Sequence, residues 1–333
     1  MDTSPLLEAI ERELQQQVAR LEDPLTGAFQ EMLTYQMGWT GEGAGLAARG
    51  KRIRPLLVLL SVAGCGQQWL RALPGAAAIE LIHNFSLVHD DVQDQSRIRR
   101  GRSTVWVRWG VPMAINVGDA LFVLAQRAVL ELKDSYAADR VTAAARILDD
   151  ACLALTRGQF LDLSYEGRTD LSVDDYWPVV RGKTAALLAA ACHTGALLGD
   201  ADENRQESFR SFGEHLGLAF QVQDDILGIW GEESVTGKSA ASDLLEAKNS
   251  LPVLFGLARK DGFAALWKKG RLQPSDVGHA AAMLAQEGAE EFALTQAAAL
   301  TSQALHDLEN AAPDGEAGAA LFELAASLLK RKQ

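Results

Sequence analysis

Apolar residues recur every three or four positions over most of this chain, in segments rich in Ala and Leu that are cut by short Gly/Pro breaks. No run alternates convincingly with the two-residue period of a strand, so the pattern predicts an all-α protein. Helices are expected over about 5–21, 27–37, 55–64, 74–93, 112–133, 138–166, 172–198, 204–230, 249–260, 274–286, 288–311 and 315–331. The segment GWTGEGAGLAARG (38–50) reads as a flexible loop. Neither a Pro/Ser-rich linker nor a repeat of fixed period divides the chain, which predicts one helical domain over residues 1–333. Helices as long as 138–166 and 204–230 would reach roughly 40 Å, enough to wall a deep, elongated cavity.

Composition narrows the function. With 48% hydrophobic and 23% charged residues the 333-residue chain has the balance of a globular protein. No apolar run is expected to reach the length of a membrane span; the longest candidate, Ala185 to Leu198, is broken by His193 and Thr194. The acidic, polar N-terminus MDTSPLLEAIERELQQQ lacks the features of a secretory or transit signal and predicts a cytoplasmic protein. Cys65, Cys152 and Cys192 read as reduced core thiols. A net charge of −12 argues against a nucleic-acid partner. Small anions are another matter, because positive charge is concentrated at Lys51, Arg52 and Arg54 and again at Arg97, Arg99, Arg100 and Arg102.

The chemistry is carried by two acidic motifs. In ELIHNFSLVHDDVQDQSRIRRG, which starts at Glu80, a helix places His83, Ser86 or Leu87, Asp90 and Asp94 along one stripe. Carboxylates one turn apart repel each other, so Asp90 and Asp94 need either solvent or a cation. Downstream, FQVQDDILG repeats the theme with Gln221, Asp224 and Asp225. Two such clusters facing each other would form a cage of hard oxygen ligands without His or Cys companions, which favours Mg²⁺ over zinc and predicts a phosphorylated substrate that completes the shell. The basic islands, with Lys183 in RGKTAA, Lys238 in TGKSAASDL and Lys248 in EAKNSLP, would neutralise its oxygens. TGKS is not a nucleotide-binding loop, because the GxxxxGK[ST] spacing fails, and no nucleophile elbow supports a Ser/His/Asp triad.

In this order, GKRIRP (from Gly50), HDDVQDQSRIRRG, GQFLDL, RGKTAA, FQVQDDILG and SDLLEAKNSLPV resemble the trans-polyprenyl diphosphate synthases, the head-to-tail isoprenyl chain-elongating enzymes. The resemblance implies an all-α, isoprenoid synthase-like bundle around a deep central cavity, built as a homodimer. It implies that Asp90, Asp94 and Asp224 ligate Mg²⁺ on an allylic diphosphate, three ions once substrate is bound, with Asp91 and Asp225 as supports. Lys51, Arg54, His83 and Arg100 match the positions that hold isopentenyl diphosphate. Arg99, Lys183, Thr184, Gln221, Lys238 and Lys248 match those that hold the allylic diphosphate. The implied chemistry is ionisation of the allylic diphosphate, attack of the isopentenyl double bond on the resulting cation and loss of a proton, with no covalent enzyme intermediate.

One departure stands out: Gly228 occupies the place of a third aspartate in the second motif, and it is expected to tune metal or substrate affinity. Phe85 and the small Ser86 lie five and four residues before Asp90, with no insertion inside DDVQD. That arrangement resembles the archaeal type of geranylgeranyl diphosphate synthase, so a C20 product is expected first, a C15 farnesyl or a longer chain second. A regular helix points Phe85 about 140° away from Asp90, so its role as a floor comes from the resemblance. A terpene cyclase would share the aspartates but has no need of Lys51, Arg54 and His83. A non-catalytic partner subunit would be expected to have lost one aspartate cluster, and both are present.

Overall fold

The computed structural model describes residues 1–231 and 241–329. The chain opens with α1 (Ser4–Ala19), α2 (Gly27–Gln36), α3 (Leu46–Arg49), α4 (Ile53–Gly64) and α5 (Leu73–Gln93). A two-stranded ribbon follows, β1 (Ile98–Arg99) and β2 (Arg102–Ser103), and then α6 (Val105–Trp109), α7 (Val111–Leu130) and α8 (Ala138–Tyr165). Next come α9 (Val173–Val180), one π-helical turn at Arg181–Ala185, α10 (Ala186–Leu198) and α11 (Glu203–Trp230). The last described elements are α12 (Ser242–Leu245), α13 (Leu251–Arg259), α14 (Gly262–Trp267), α15 (Val277–Gln286), α16 (Ala289–Ala311) and α17 (Gly315–Leu329). The all-α reading holds, and most expected helices fall within two or three residues of the observed ones. Proline in the first turn, where no backbone N–H is needed, marks the start of α1, α5, α7 and α13.

Three expectations are corrected. The ribbon was missed because four paired residues are too short to show a period; its Arg100-Gly101 turn has φ of +51° and +73°, the mirror-image geometry that tight hairpins favour. The 38–50 segment is pinned in place. Arg102 donates to the carbonyls of Tyr35, Thr40 and Glu42 at 3.0, 2.7 and 2.9 Å, and its guanidinium lies 3.9 Å from the centre of the Tyr35 ring. Finally, Val111–Asp134 is long and apolar enough to cross a membrane by length and composition alone. Asp119 and Arg127 interrupt it, and Leu121, Leu124 and Val129 on its inner side are buried.

The chain folds into two compact units. The first comprises residues 1–149, 190–206 and 312–321. Its α1, α4, α5 and α7 pack mutually around Leu6, Ile10, Leu57, Leu60, Ile79, Ile82, Val117 and Leu121, all essentially inaccessible. The second comprises residues 150–189, 207–311 and 322–333, and its core joins Tyr176, Leu218, Val222, Ile226, Leu251, Leu254, Phe263 and Ala293. All three cysteines are free thiols.

Candidate active site

In the first unit the site is built on the last turns of α5 and on the turn that starts α4. That turn strains the backbone twice. Gly50 has φ +76° and ψ −179°, a region open only to glycine, and Arg52 has φ +49° and ψ +38°. The guanidinium of Arg100 lies against the Gly50 backbone, where a Cβ would come within 2.6 Å of it, and donates to the Ala48 carbonyl at 2.9 Å. Arg54 Nη1 lies 3.3 Å from His83 Nε2. A guanidinium has no acceptor, so this nitrogen of His83 accepts. Burial, then the positive charges of Arg54, Arg100, Arg99 and Arg52, hold the His83 pKa well below the ordinary range, so the ring is neutral. Lys51 is exposed.

Asp90 is half-buried and Asp94, which ends α5, is exposed; the Asp94 N–H donates to the Asp90 carbonyl at 2.8 Å. Asp91, one residue round the helix, is buried instead. Arg99 Nε and Nη2 both reach its Oδ1 at 2.7 Å. Burial pushes the Asp91 carboxyl up to about 6 against the pull of Arg99. Asp91 is thus a support that ties α5 to the ribbon, and this partnership engages Arg99. Ser86 is buried with its hydroxyl turned back to the His83 carbonyl at 2.9 Å. The Phe85 ring stands against α7, its centroid 4.9 Å from His89 and 5.3 Å from Phe122.

The second unit repeats the division of labour. Asp224 is half-buried. Asp225 beside it is buried and fully engaged: Oδ2 accepts from the Tyr176 hydroxyl at 2.8 Å and the Leu251 N–H at 2.9 Å, and Oδ1 accepts from Gln221 at 3.0 Å. Burial pushes its carboxyl up to about 7 despite these hydrogen bonds. The chain of bonds continues as Thr184 Oγ1 donates to Gln221 Oε1 at 2.8 Å. Lys183 sits in the π-helical turn, a local insertion often found at functional sites, and pairs with Asp162 at 2.6 Å. That turn meets α8 backbone to backbone; a Cβ on Gly158 would lie 2.5 Å from the Lys183 nitrogen, which accounts for the glycines of GQFLDL and RGKTAA.

Lys248 bridges Asp243 at 3.0 Å and Glu246 at 2.8 Å; burial works against its charge, but the two carboxylates raise its pKa. Lys238 lies outside the described residues. Gly228 has a local reason: a Cβ there would overlap the buried Asp243 carboxylate. Gly228→Asp would set a second carboxylate against it, so stability is expected to fall by about 1–3 kcal/mol in urea titration. Turnover is expected not to rise; a clear gain at unchanged stability would contradict this account of the glycine.

Sequence reading missed Glu11, Glu80, Asp162, Tyr176 and Asp243, the partners of the predicted residues. Glu80 did leave a signal, as the one charge in the apolar run PGAAAIELI, where a buried carboxylate requires a partner. Among the described residues no three His, Cys, Asp or Glu side chains gather into a complete metal site. The donor set still fits Mg²⁺, which is bound through one or two carboxylates with the other positions left to water and phosphate oxygens.

Comparison with known proteins supplies the family. Residues 44–285 match the family model described as Polyprenyl synthetase. Two relatives from Mycobacterium tuberculosis are a (2E,6E)-farnesyl diphosphate synthase, 40% identical over 77% of this chain and 71% of its own length, and a geranylgeranyl diphosphate synthase, 43% identical over 77% and 75%. The crystal structure of a polyprenyl synthetase from Streptomyces coelicolor superposes with a TM-score of 0.87 at 35% identity, over 96% of both chains. The chain belongs to the polyprenyl synthetase family, the trans-polyprenyl diphosphate synthases. It is a prenyltransferase of the chain-elongating kind.

Proposed function

We propose that the enzyme condenses isopentenyl diphosphate with an allylic diphosphate, head to tail, and that its product is the C20 geranylgeranyl diphosphate. The observation that carries this reading is the cluster of Arg54 from α4, Arg100 from the ribbon turn and neutral His83 from α5, the helix that also bears Asp90 and is capped by Asp94. A cyclase acting on one diphosphate has no use for a second anion site. In this reading Lys51, Arg54, His83 and Arg100 hold isopentenyl diphosphate. Arg99, Lys183, Thr184, Gln221, Lys238 and Lys248 hold the allylic diphosphate, and Asp90, Asp94 and Asp224 hold Mg²⁺ on it. When bound, Mg²⁺ supplies positive charge that eases departure of pyrophosphate. The side chains orient both diphosphates, and apolar walls keep water from the allylic cation. Incubation with labelled isopentenyl diphosphate, each allylic primer and Mg²⁺, followed by product sizing, tests the proposal: elongation supports it, whereas cyclised hydrocarbon or no product refutes it.

The two mycobacterial relatives carry names for different products at nearly equal identity, so overall similarity does not choose between C15 and C20. The contacts of Phe85 favour a local cause. Its ring packs against His89 and Phe122, and His89 in turn sits in a notch that Gly118 leaves open on α7, contacts that suit a fixed position for the ring. Phe85→Ala is expected to shift the main product by at least one five-carbon unit, read by chromatography of the dephosphorylated products; an unchanged profile would remove Phe85 from the floor. The homodimer expected from the resemblance is supported by exposed Ile115, Val123 and Leu130, which share about an 80° sector of α7 and suit a second copy of this chain.

A further inference from the structure

Arg52 lies between two residues given to isopentenyl diphosphate, Lys51 and Arg54, yet it is turned the other way and only 4% exposed. Its Nε donates to Glu11 Oε1 at 2.6 Å, its Nη1 to Glu80 Oε1 at 2.7 Å and its Nη2 to the Met37 carbonyl at 3.1 Å. Both acceptors are themselves held. Trp39 Nε1 donates to Glu11 Oε2 at 2.8 Å, and Asn84 Nδ2 donates to Glu80 Oε1 at 3.0 Å. One guanidinium therefore clamps α1, α5 and the C-terminal end of α2 to the turn that starts α4.

Two features make this more than a structural ion pair. The clamp acts on a residue in the left-handed region, a conformation that side chains with a Cβ disfavour, so an outside restraint must hold it. That conformation sets where Lys51, one residue before, and Arg54, two residues after, enter the site. One buried carboxylate, Glu80, and one half-buried carboxylate, Glu11, also face one guanidinium, and the negative charge of Glu80 acts on Arg54 and Arg100 as well. Glu80 thereby provides an internal counter-charge that lets those two guanidiniums share one place before any diphosphate arrives.

We propose that Arg52, with Glu11 and Glu80, is the positioning group of the isopentenyl diphosphate site, acting through Lys51, Arg54 and Arg100 without touching substrate. The inference rests on the assignment of those three residues to that diphosphate. Arg52→Lys keeps the charge but loses the planar fork that spans two carboxylates. Glu11→Gln removes one arm from a helix remote in sequence and keeps a hydrogen-bonding side chain, so it carries the test should Arg52→Lys not fold.

Steady-state kinetics are measured with each diphosphate varied while the other is saturating. Both variants are expected to raise KM for isopentenyl diphosphate about tenfold or more, with kcat and the allylic KM within about twofold, and Glu11→Asp is expected to recover part of the loss. An unchanged isopentenyl KM, or equal loss for both substrates, overturns the inference while leaving the proposed function intact. Wild-type protein that elongates no primer overturns the reading beneath it.

Discussion

Alanine in place of Asp90 or of Asp224 is expected to lower turnover by about 10²–10³-fold, the usual effect of removing one preorganised electrostatic contact to a developing charge. Stability is expected to change much less than turnover, because both carboxylates are half-buried and removing one does not open the core. The expected loss is large because, in the proposed reading, Mg²⁺ is held through few carboxylates with water and phosphate oxygens at its other positions, so each carboxylate is a large share of its protein ligands. The check is turnover at saturating diphosphates across a Mg²⁺ titration, with urea unfolding of the same samples. Chelation of divalent metal from the wild type should abolish turnover reversibly. Turnover of either variant within tenfold of the wild type at any Mg²⁺ concentration would dismiss that aspartate as a metal ligand.

The sequence carried the helices because their signal is periodic and long: α5, α7 and α11 each repeat an apolar face over five or more turns. It singled out the acidic and basic candidates because like charges in apolar surroundings demand a cause. What it could not carry are the short elements and the partners. The four paired residues of the ribbon, the single turns α3 and α12, and the π-helical turn within the expected 172–198 helix have no period to detect. Glu11 and Glu80 stand 41 and 28 residues from Arg52, and no local pattern joins them. Arg52 itself shows the limit most clearly. GKRIRP offers three cations in four residues, and only the fold shows that the middle one, Arg52, is buried while Lys51 beside it is exposed.

The paired aspartates extend that lesson from one cation to two acidic motifs. In both DD sequences the first member is half-buried and the second is locked into the fold, Asp91 by Arg99 and Asp225 by three donors. Successive residues on a helix diverge by about 100°, so a DD pair on a regular helix starts its two carboxylates toward different surroundings. In the proposed reading the pair uses this divergence, with one carboxylate left to the chemistry and one fixing the rotation of the helix that presents it. Asp225→Ala should therefore behave unlike Asp224→Ala next to it. It strips the acceptor from the Tyr176 hydroxyl and the Leu251 N–H, and each buried donor left unsatisfied costs about 1–3 kcal/mol. A total of about 2–6 kcal/mol is a large part of the ~5–15 kcal/mol that holds a typical domain folded. Asp225→Asn should recover only part of it, because its amide nitrogen would meet a donor where a carboxylate oxygen now accepts. Urea midpoints of the three variants decide the matter: Asp224→Ala near the wild type, Asp225→Asn between, Asp225→Ala lowest. If Asp225→Ala unfolds with the wild-type midpoint and loses only turnover, then Asp225 faces the substrate and the division of labour within the motif is wrong.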